Sequence, residues 1–519
     1  MLPDFDRLRM RHTLDAAFRT VTEEHTNRPL AVDGQVPIEL EGVLYRNGPG
    51  RFERGGHRYG HWFDGDGHLV RLALRDGAAR YSNRFVRTAE FRAEESSGQI
   101  LYRAFGGNRP GGLAPNFLRA RFKNAANTNV IWQGGRLLAL WEGGPPHRLD
   151  PVTLETLGTE DFGGRLRTPF SPLERLLSPL MPFTAHPKID PETGAMVAFG
   201  LMFGYPSRLL IYDVDGQGQM APPRVVTLER LSFVHDLAVT REWIAFLLPQ
   251  VHFEALPALL GLTPPAAALR LNTDRPMRLL LLPRDGGPPR IFPTKPGFVF
   301  HVAQSFDGDD GSLIIDVVRY GRYPPLSDVQ SFLEDTDPGS LPRLERLIID
   351  PRRGSVTCRS LGSGQAELPR VAPSPFGKPR RLIYSLTAPI DRALPVLTSL
   401  QRLDTDTGTR VVRDFGWDLP GEPIVVTGDD GRERWILTLV YRSTEDVSEL
   451  LILDAEDLHT VATARLPHAV PPGLHGCWVA RRSGSSFPIG HDETWGHQGQ
   501  SVDERPPASM HGRLAAALP

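Results

Sequence analysis

At 519 residues the chain is long enough for two or three average domains, but single propellers and barrels also reach this size, so length alone does not divide it. Its 59 basic and 61 acidic residues nearly cancel, which removes the electrostatic case for nucleic-acid binding and favours an apolar partner. With 51 Gly and 48 Pro beside an ordinary 40% hydrophobic share, the composition favours many short elements joined by turns, and therefore an all-β fold.

The first thirty residues, beginning MLPDFDRLRMRHTLDAAF, lack the uninterrupted apolar core of a signal peptide and read as an N-terminal segment, 1–30. From 31 to 480 short β-type runs bounded by Gly, Asp or Pro dominate. VIWQGGRLLALWEGG, MVAFGLMF, RLLIYDVDGQG, WIAFLLP, SLIIDVVRY, RLIYSL, RWILTLVY and ELLILDAEDL are the clearest. Their shape, inner strands followed by a hairpin, points to radial repetition. Two apolar stretches break the pattern, FSPLERLLSPLMPF (170–183) and FEALPALLGLTPPAAALRL (253–271). They read as partly helical cap segments, or as a greasy mouth resting on a membrane surface. Residues 481–519 lose periodicity and read as a flexible tail, so His491, His497 and His511 are not expected at any site. No run is long enough to cross a bilayer, and Cys358 and Cys477 are far apart and outside any CxxC pattern. A cytoplasmic protein, at most peripheral at a membrane, is expected.

Four histidines stand in distinctive phrases: His186 in FTAHPKIDPETG, His235 in FVHDLAVT, His301 in FVFHVAQSFDG and His475 in PPGLHGCW. Imidazoles spread this widely, with no cysteine pair and no HExxH helix among them, read as one distributed metal centre. Their separations of 49, 66 and 174 residues fit blades of roughly 50 residues, with one ligand per blade opening an inner strand. His12, His25, His147, His252, His459 and His468 read as surface or hydrogen-bonded structural residues. His57, His61 and His68, in GGHRYGHWFDGDGH, read as a hairpin rim.

Beyond the histidine phrases, LYRNGPGRF, HWFDGDG, NRFVRT, NAANTNV, LLALWEGG and GEPIVV occur in the order found in the carotenoid cleavage oxygenases, which the chain resembles over roughly residues 30–480. The resemblance implies a seven-bladed β-propeller with a helical and loop cap over the axial face. It also implies one Fe(II) held by His186, His235, His301 and His475, with dioxygen as co-substrate. Glu142 (LWEGG), Glu367 (AELPR) and Glu422 (GEPIVV) match three glutamates that accept the far ring protons of the ligands, fixing their tautomer and raising their basicity. The implied reaction is oxidative cleavage of a conjugated double bond in an apolar polyene, a carotenoid or apocarotenoid. The family also includes isomerases and stilbene-cleaving enzymes. The latter carry a lysine before the first glutamate and a tyrosine upstream, where this chain has Trp141 and the tyrosine-free stretch RAFGGNRP, so a phenolic stilbene is the less fitting substrate. Phe105, Trp141, Phe233, Phe300 and Phe306 are the expected tunnel aromatics.

Overall fold

The computed structural model describes residues 4–119, 122–204, 206–229, 232–272, 274–323, 341–389 and 396–481. Among them, seven antiparallel sheets of four to six strands follow one another in chain order, and two short hairpins stand apart. These sheets are the blades of a β-propeller.

Both ends of the chain close the ring. Blade 1 comprises Gly42–Arg51, Asp66–Arg75 and Ala78–Phe85, with Arg28–Pro29 at its outer edge and His475–Ala480, from the far end of the sequence, as its innermost strand. Blades 2 to 6 open with the inner strands Asn129–Gln133, Lys188–Ile189, Ala238–Val239, Phe298–Asp307 and Glu367–Arg370. Blade 7 opens with Leu419–Pro420 and Ile424–Thr427, and takes Ala31–Gly34 as its outermost strand. The strands Ala31–Gly34 and His475–Ala480 each pair with a sheet built by the opposite end of the chain, which ties the first and last blades together.

The core lies in the wedges between blades. Successive side chains of a strand point to opposite faces. In blade 3, Met196 and Ala198 therefore pack with Leu138 and Leu140 of blade 2, while Val197 and Phe199 pack with Ile244 and Phe246 of blade 4. With both faces covered, strands read as continuous apolar runs rather than alternating ones, which is why phrases such as RLLIYDV are so uniformly hydrophobic. Asparagines stitch the blades near the axis. Asn47 donates to Ala126 O and Asn129 O, Asn127 donates to Phe63 O and Gly65 O, and Asn129 donates to Ala185 O. A carboxamide with two donors can hold two carbonyls that no strand reaches, which accounts for the Asn-rich phrases in the sequence.

The cap is assembled from insertions. It includes the helices Asp4–Ala17, Ala89–Ser97, Pro172–Leu177, Ala255–Leu259 and Pro265–Ala268, and the hairpin Gln250–Phe253/Leu269–Asn272. Both apolar stretches noted in the sequence fall in this layer. Residues 482–519, with His491, His497 and His511, lie outside the described residues.

Candidate metal centre

Local chain geometry aims each of the four histidines at the propeller axis. His186 lies two residues before the inner strand of blade 3; the intervening Pro187 confines it to extended backbone, and its N–H donates to Thr184 Oγ1 at 2.9 Å. His235 precedes the inner strand of blade 4. It is steadied by its neighbour Asp236, which accepts Val302 N at 2.7 Å from blade 5 and pairs with Lys188 Nζ at 2.8 Å from blade 3. His301 lies inside the first strand of blade 5, whose pairing slips across it, between Val299 and Val302, and again just after it, between Val302 and Gln304. Such bulges re-aim side chains next to functional sites. His475 opens the closing strand of blade 1, opposite Asn47. Gly476 follows because a Cβ there would lie 2.2 Å from Tyr45 O.

The rings converge. Centroids of His186 lie 4.4, 5.3 and 4.5 Å from those of His235, His301 and His475, and donor atoms of His186, His235 and His301 lie within 4.8 Å of one another. The three blades without a histidine supply the three glutamates. His235 Nδ1 meets Glu142 Oε2 at 3.0 Å, His301 Nδ1 meets Glu367 Oε2 at 2.5 Å, and His475 Nδ1 meets Glu422 Oε1 at 2.8 Å. Each carboxylate accepts the Nδ1 proton and leaves Nε2 bare towards the axis.

The carboxylates differ in their own support. Glu422 also accepts from Arg370 Nε at 2.7 Å, Arg46 Nη1 at 2.6 Å and Gly476 N at 3.1 Å. Burial opposes its ionisation, yet Arg370, His475 and Arg46 hold it far below the usual carboxylate range. Glu367 accepts from Tyr320 Oη at 2.7 Å and from Leu368 N at 2.6 Å, and is likewise lowered against burial, chiefly by His301. Leu368 takes φ +50° at a slip in the blade 6 pairing, a strained turn that points Glu367 inward. Among the described residues Glu142 bonds only to His235, and its Oε1 is buried without a partner.

A metal ion fits this donor set. His186 has no carboxylate, and its Nε2 is buried with no hydrogen-bond partner among the described residues; an unsatisfied buried nitrogen costs about 1–3 kcal/mol unless something ligates it. Burial and the neighbouring imidazoles hold His186 well below the usual histidine range, and burial draws His475 down to about 4. Burial also works against charge on His235, but Glu142 outweighs it and raises the pKa. Three carboxylates against two guanidinium groups leave a single net negative charge behind the rings, which suits a divalent cation.

The centre faces a cavity of about 1190 Å³ whose wall includes His235, His301 and His475. Phe105, Trp141, Phe233 and Phe300 lie on that wall, with the Phe300 ring edge-on to His235 at 5.1 Å. Phe306 does not. Five residues beyond His301 along an extended strand, it is carried about 16 Å away, and its ring packs beneath the Arg346 guanidinium at 5.3 Å. Of the three histidines expected on a hairpin rim, two differ from expectation. His57 is exposed on the hairpin Glu53–Arg54/His57–Arg58, as a rim residue should be, but His61 and His68 are buried. The cavity adds Trp62, Phe63, Tyr323 and His147, which sequence reasoning did not place there. No local phrase distinguishes them, since their approach to the axis depends on how the cap folds back.

Comparison with known proteins agrees with this geometry. The family model described as retinal pigment epithelial membrane protein matches residues 18–480. The apocarotenoid-15,15'-oxygenase of Synechocystis is 36% identical, over 86% of this chain and 92% of its own. The resveratrol cleavage oxygenase 1 of Aspergillus fumigatus is 29% identical, over 87% and 92%. A crystal structure of cobalt-substituted Synechocystis ACO superposes with a TM-score of 0.83 at 34% identity, covering 90% of this chain and 98% of that one. The seven-bladed fold, the converging histidines and the match along nearly the whole propeller lead to one conclusion: the chain belongs to the retinal pigment epithelial membrane protein family, the carotenoid cleavage oxygenases its motifs resemble.

Proposed function

We propose that the protein is a non-haem Fe(II) dioxygenase that cleaves a conjugated carbon–carbon double bond of a carotenoid or apocarotenoid into two carbonyl fragments. The observation that carries this reading is the meeting of a four-imidazole cluster with a large, mainly apolar and aromatic cavity. His186, His235, His301 and His475 would hold the iron, with Glu142, Glu367 and Glu422 keeping three of the Nδ1 protons in place. Iron(II) on neutral imidazoles supplies dioxygen activation, and both oxygen atoms end in the two carbonyl products as the double bond is broken. Trp141, Phe105, Phe233 and Phe300 would lay the polyene against the centre and keep water from it. Trp141 before Glu142 supports a polyene over the phenolic stilbene that the fungal relative's name denotes.

A membrane-surface approach fits the same reading, because a polyene resides in lipid. Leu176 and Phe203 are exposed yet also line the cavity, so its wall runs out onto an apolar surface. Leu118 and Leu259, both exposed, adjoin through the bond from Leu118 N to Leu259 O. No helix among the described residues is long and apolar enough to cross a membrane.

The deciding experiment incubates the iron-loaded protein with carotenoids, apocarotenoids and stilbenes under isotopically labelled dioxygen. Labelled aldehydes or ketones from one polyene are expected. Turnover without oxygen uptake, giving a product of unchanged mass, would replace the reading with a same-site isomerase. Failure to retain iron after anaerobic reconstitution would replace it with a metal-free binding platform.

A further inference from the structure

Most polar side chains on the cavity wall are committed to the protein, while Glu142 Oε1, Trp62 Nε1 and His147 Nδ1 are buried without a hydrogen-bond partner among the described residues. Asn124 donates to Pro145 O and accepts Ala126 N, each at 3.0 Å, and both donor bonds of Asn127 go to backbone carbonyls. Thr128 donates to Asn127, Ser178 to Leu180 O, and Tyr320 to Glu367. His147 is different. It is 6% exposed, lies on the wall, and its buried Nδ1 has no hydrogen-bond partner among the described residues. Leaving a buried ring nitrogen bare is costly, so the site is built for something that arrives with the ligand.

Its position suits a substrate end group. His147 opens the third strand of blade 2, pairs with Ala139 on one side and Thr159 on the other, and shares the cavity wall with Thr159 and Glu90. The strand bearing Ala139 runs on into Trp141 and Glu142, so His147 lies on the same blade as Glu142, just beyond the turn that carries the glutamate. Burial draws the His147 pKa down to about 4, so the ring is neutral at neutral pH, with one nitrogen donating and the other accepting. The conjugated chain of a polyene offers no hydrogen bond, so what meets His147 must be an oxygen on an end ring. A hydroxyl both donates and accepts, and therefore satisfies either ring tautomer, whereas a carbonyl serves only one.

We propose that His147 is a specificity-determining residue that recognises a hydroxyl on the end ring of the substrate. This rests on the apocarotenoid reading above. A neutral hydrogen bond at a buried site gives a preference of about 5- to 10-fold for the hydroxylated ligand.

The test uses two apocarotenoids that differ only in the end-ring hydroxyl, with His147→Leu and His147→Gln beside the wild type. KM and kcat are measured aerobically, and Kd is measured under argon on the iron-loaded protein by quenching of tryptophan fluorescence, Trp62 and Trp141 both lining the cavity. In the wild type the hydroxylated ligand is expected to be favoured about 5- to 10-fold in both KM and Kd. In His147→Leu that ratio is expected to fall to about one, and in His147→Gln to recover in part, with the effect in KM rather than kcat. An unchanged ratio in His147→Leu, or no preference in the wild type, would overturn the proposal and leave His147 as a hydrated wall residue. If neither compound is cleaved but the Kd ratio behaves as expected, the dioxygenase reading fails while the recognition role stands.

Discussion

Replacing Glu422 by Gln separates the orientation of a histidine from the support of the fold. The carboxylate is 1% exposed and accepts bonds from His475, Arg370, Arg46 and Gly476. A carboxamide keeps one acceptor oxygen and presents an NH₂ group to donors on its other side, whichever way it is turned. If the NH₂ faces Arg46, a guanidinium whose side chain is 3% exposed loses its carboxylate; if it faces His475, the ring loses its acceptor. Breaking a buried ion pair from one side costs about 3–5 kcal/mol. Arg370, with a side chain 34% exposed, can turn to water and adds less. Glu142→Gln is the control. Glu142 has a single bond to His235 that the amide oxygen can retain, so its cost in stability is expected near 1 kcal/mol or below. Both variants are expected to bind iron about 10- to 100-fold more weakly, since each disturbs a carboxylate behind a ligand. Urea unfolding of the metal-free proteins, followed by fluorescence, reads the first effect, and competition with a chelator reads the second. Equal urea midpoints for the two variants would refute the reasoning, because they would show that the Arg46–Glu422–Arg370 cluster contributes nothing beyond orienting His475.

Four further outcomes follow from the same geometry. His235→Ala is expected to lower iron retention about 10-fold or more while the far-ultraviolet circular dichroism is kept, because Asp236 still ties blades 3, 4 and 5; full iron content by elemental analysis would contradict the site. Tyr320→Phe deletes the donor to Glu367 and is expected to cost about 1.5–3 kcal/mol in urea unfolding, with a smaller loss of iron affinity than Glu367→Gln; the reverse ranking would count against it. Burial lowers His61 and His68 to about 3 and His147 to about 4, so the unfolded chain takes up protons first as pH falls below about 6.5. Stability is then present above that pH and lost below it, by about 2 kcal/mol for each such histidine between pH 7 and pH 5, and a flat urea midpoint over that range would contradict the burial argument. Leu176→Glu with Leu259→Glu is expected to reduce co-sedimentation with neutral lipid vesicles, and unchanged pelleting would reject the membrane-facing mouth.

Much of this protein can be read without coordinates. A strand buried on both faces is apolar at most positions, and hairpins favour Gly or Asp, so the repeated runs from VIWQGG to ELLILDAEDL already point to a large all-β fold. The phrases around His186, His235, His301 and His475 pick out the residues that now meet on the axis, because Pro187, Asp236 and Gly476 are local requirements for aiming them.

What depends on the closed ring could not be read in this way. Glu142 leaves blade 2 and passes blade 3 to reach His235 on blade 4, and Arg46 and Arg370 converge on Glu422 from blades 1 and 6. Phe306 and Phe300 look alike in sequence. Distance along one strand removes the first from the cavity, and the turn of the cap brings Trp62, Phe63 and Tyr323 into it. His147 passes for an ordinary structural histidine until the fold sets it in the cavity wall with a buried ring nitrogen that has no partner among the described residues. Composition and periodicity act over one element at a time, whereas partners drawn from different blades are set by how seven sheets pack around one axis. The sequence by itself determined the strands and the donor set; the tertiary structure decided which donor meets which, and which aromatics face the space between them.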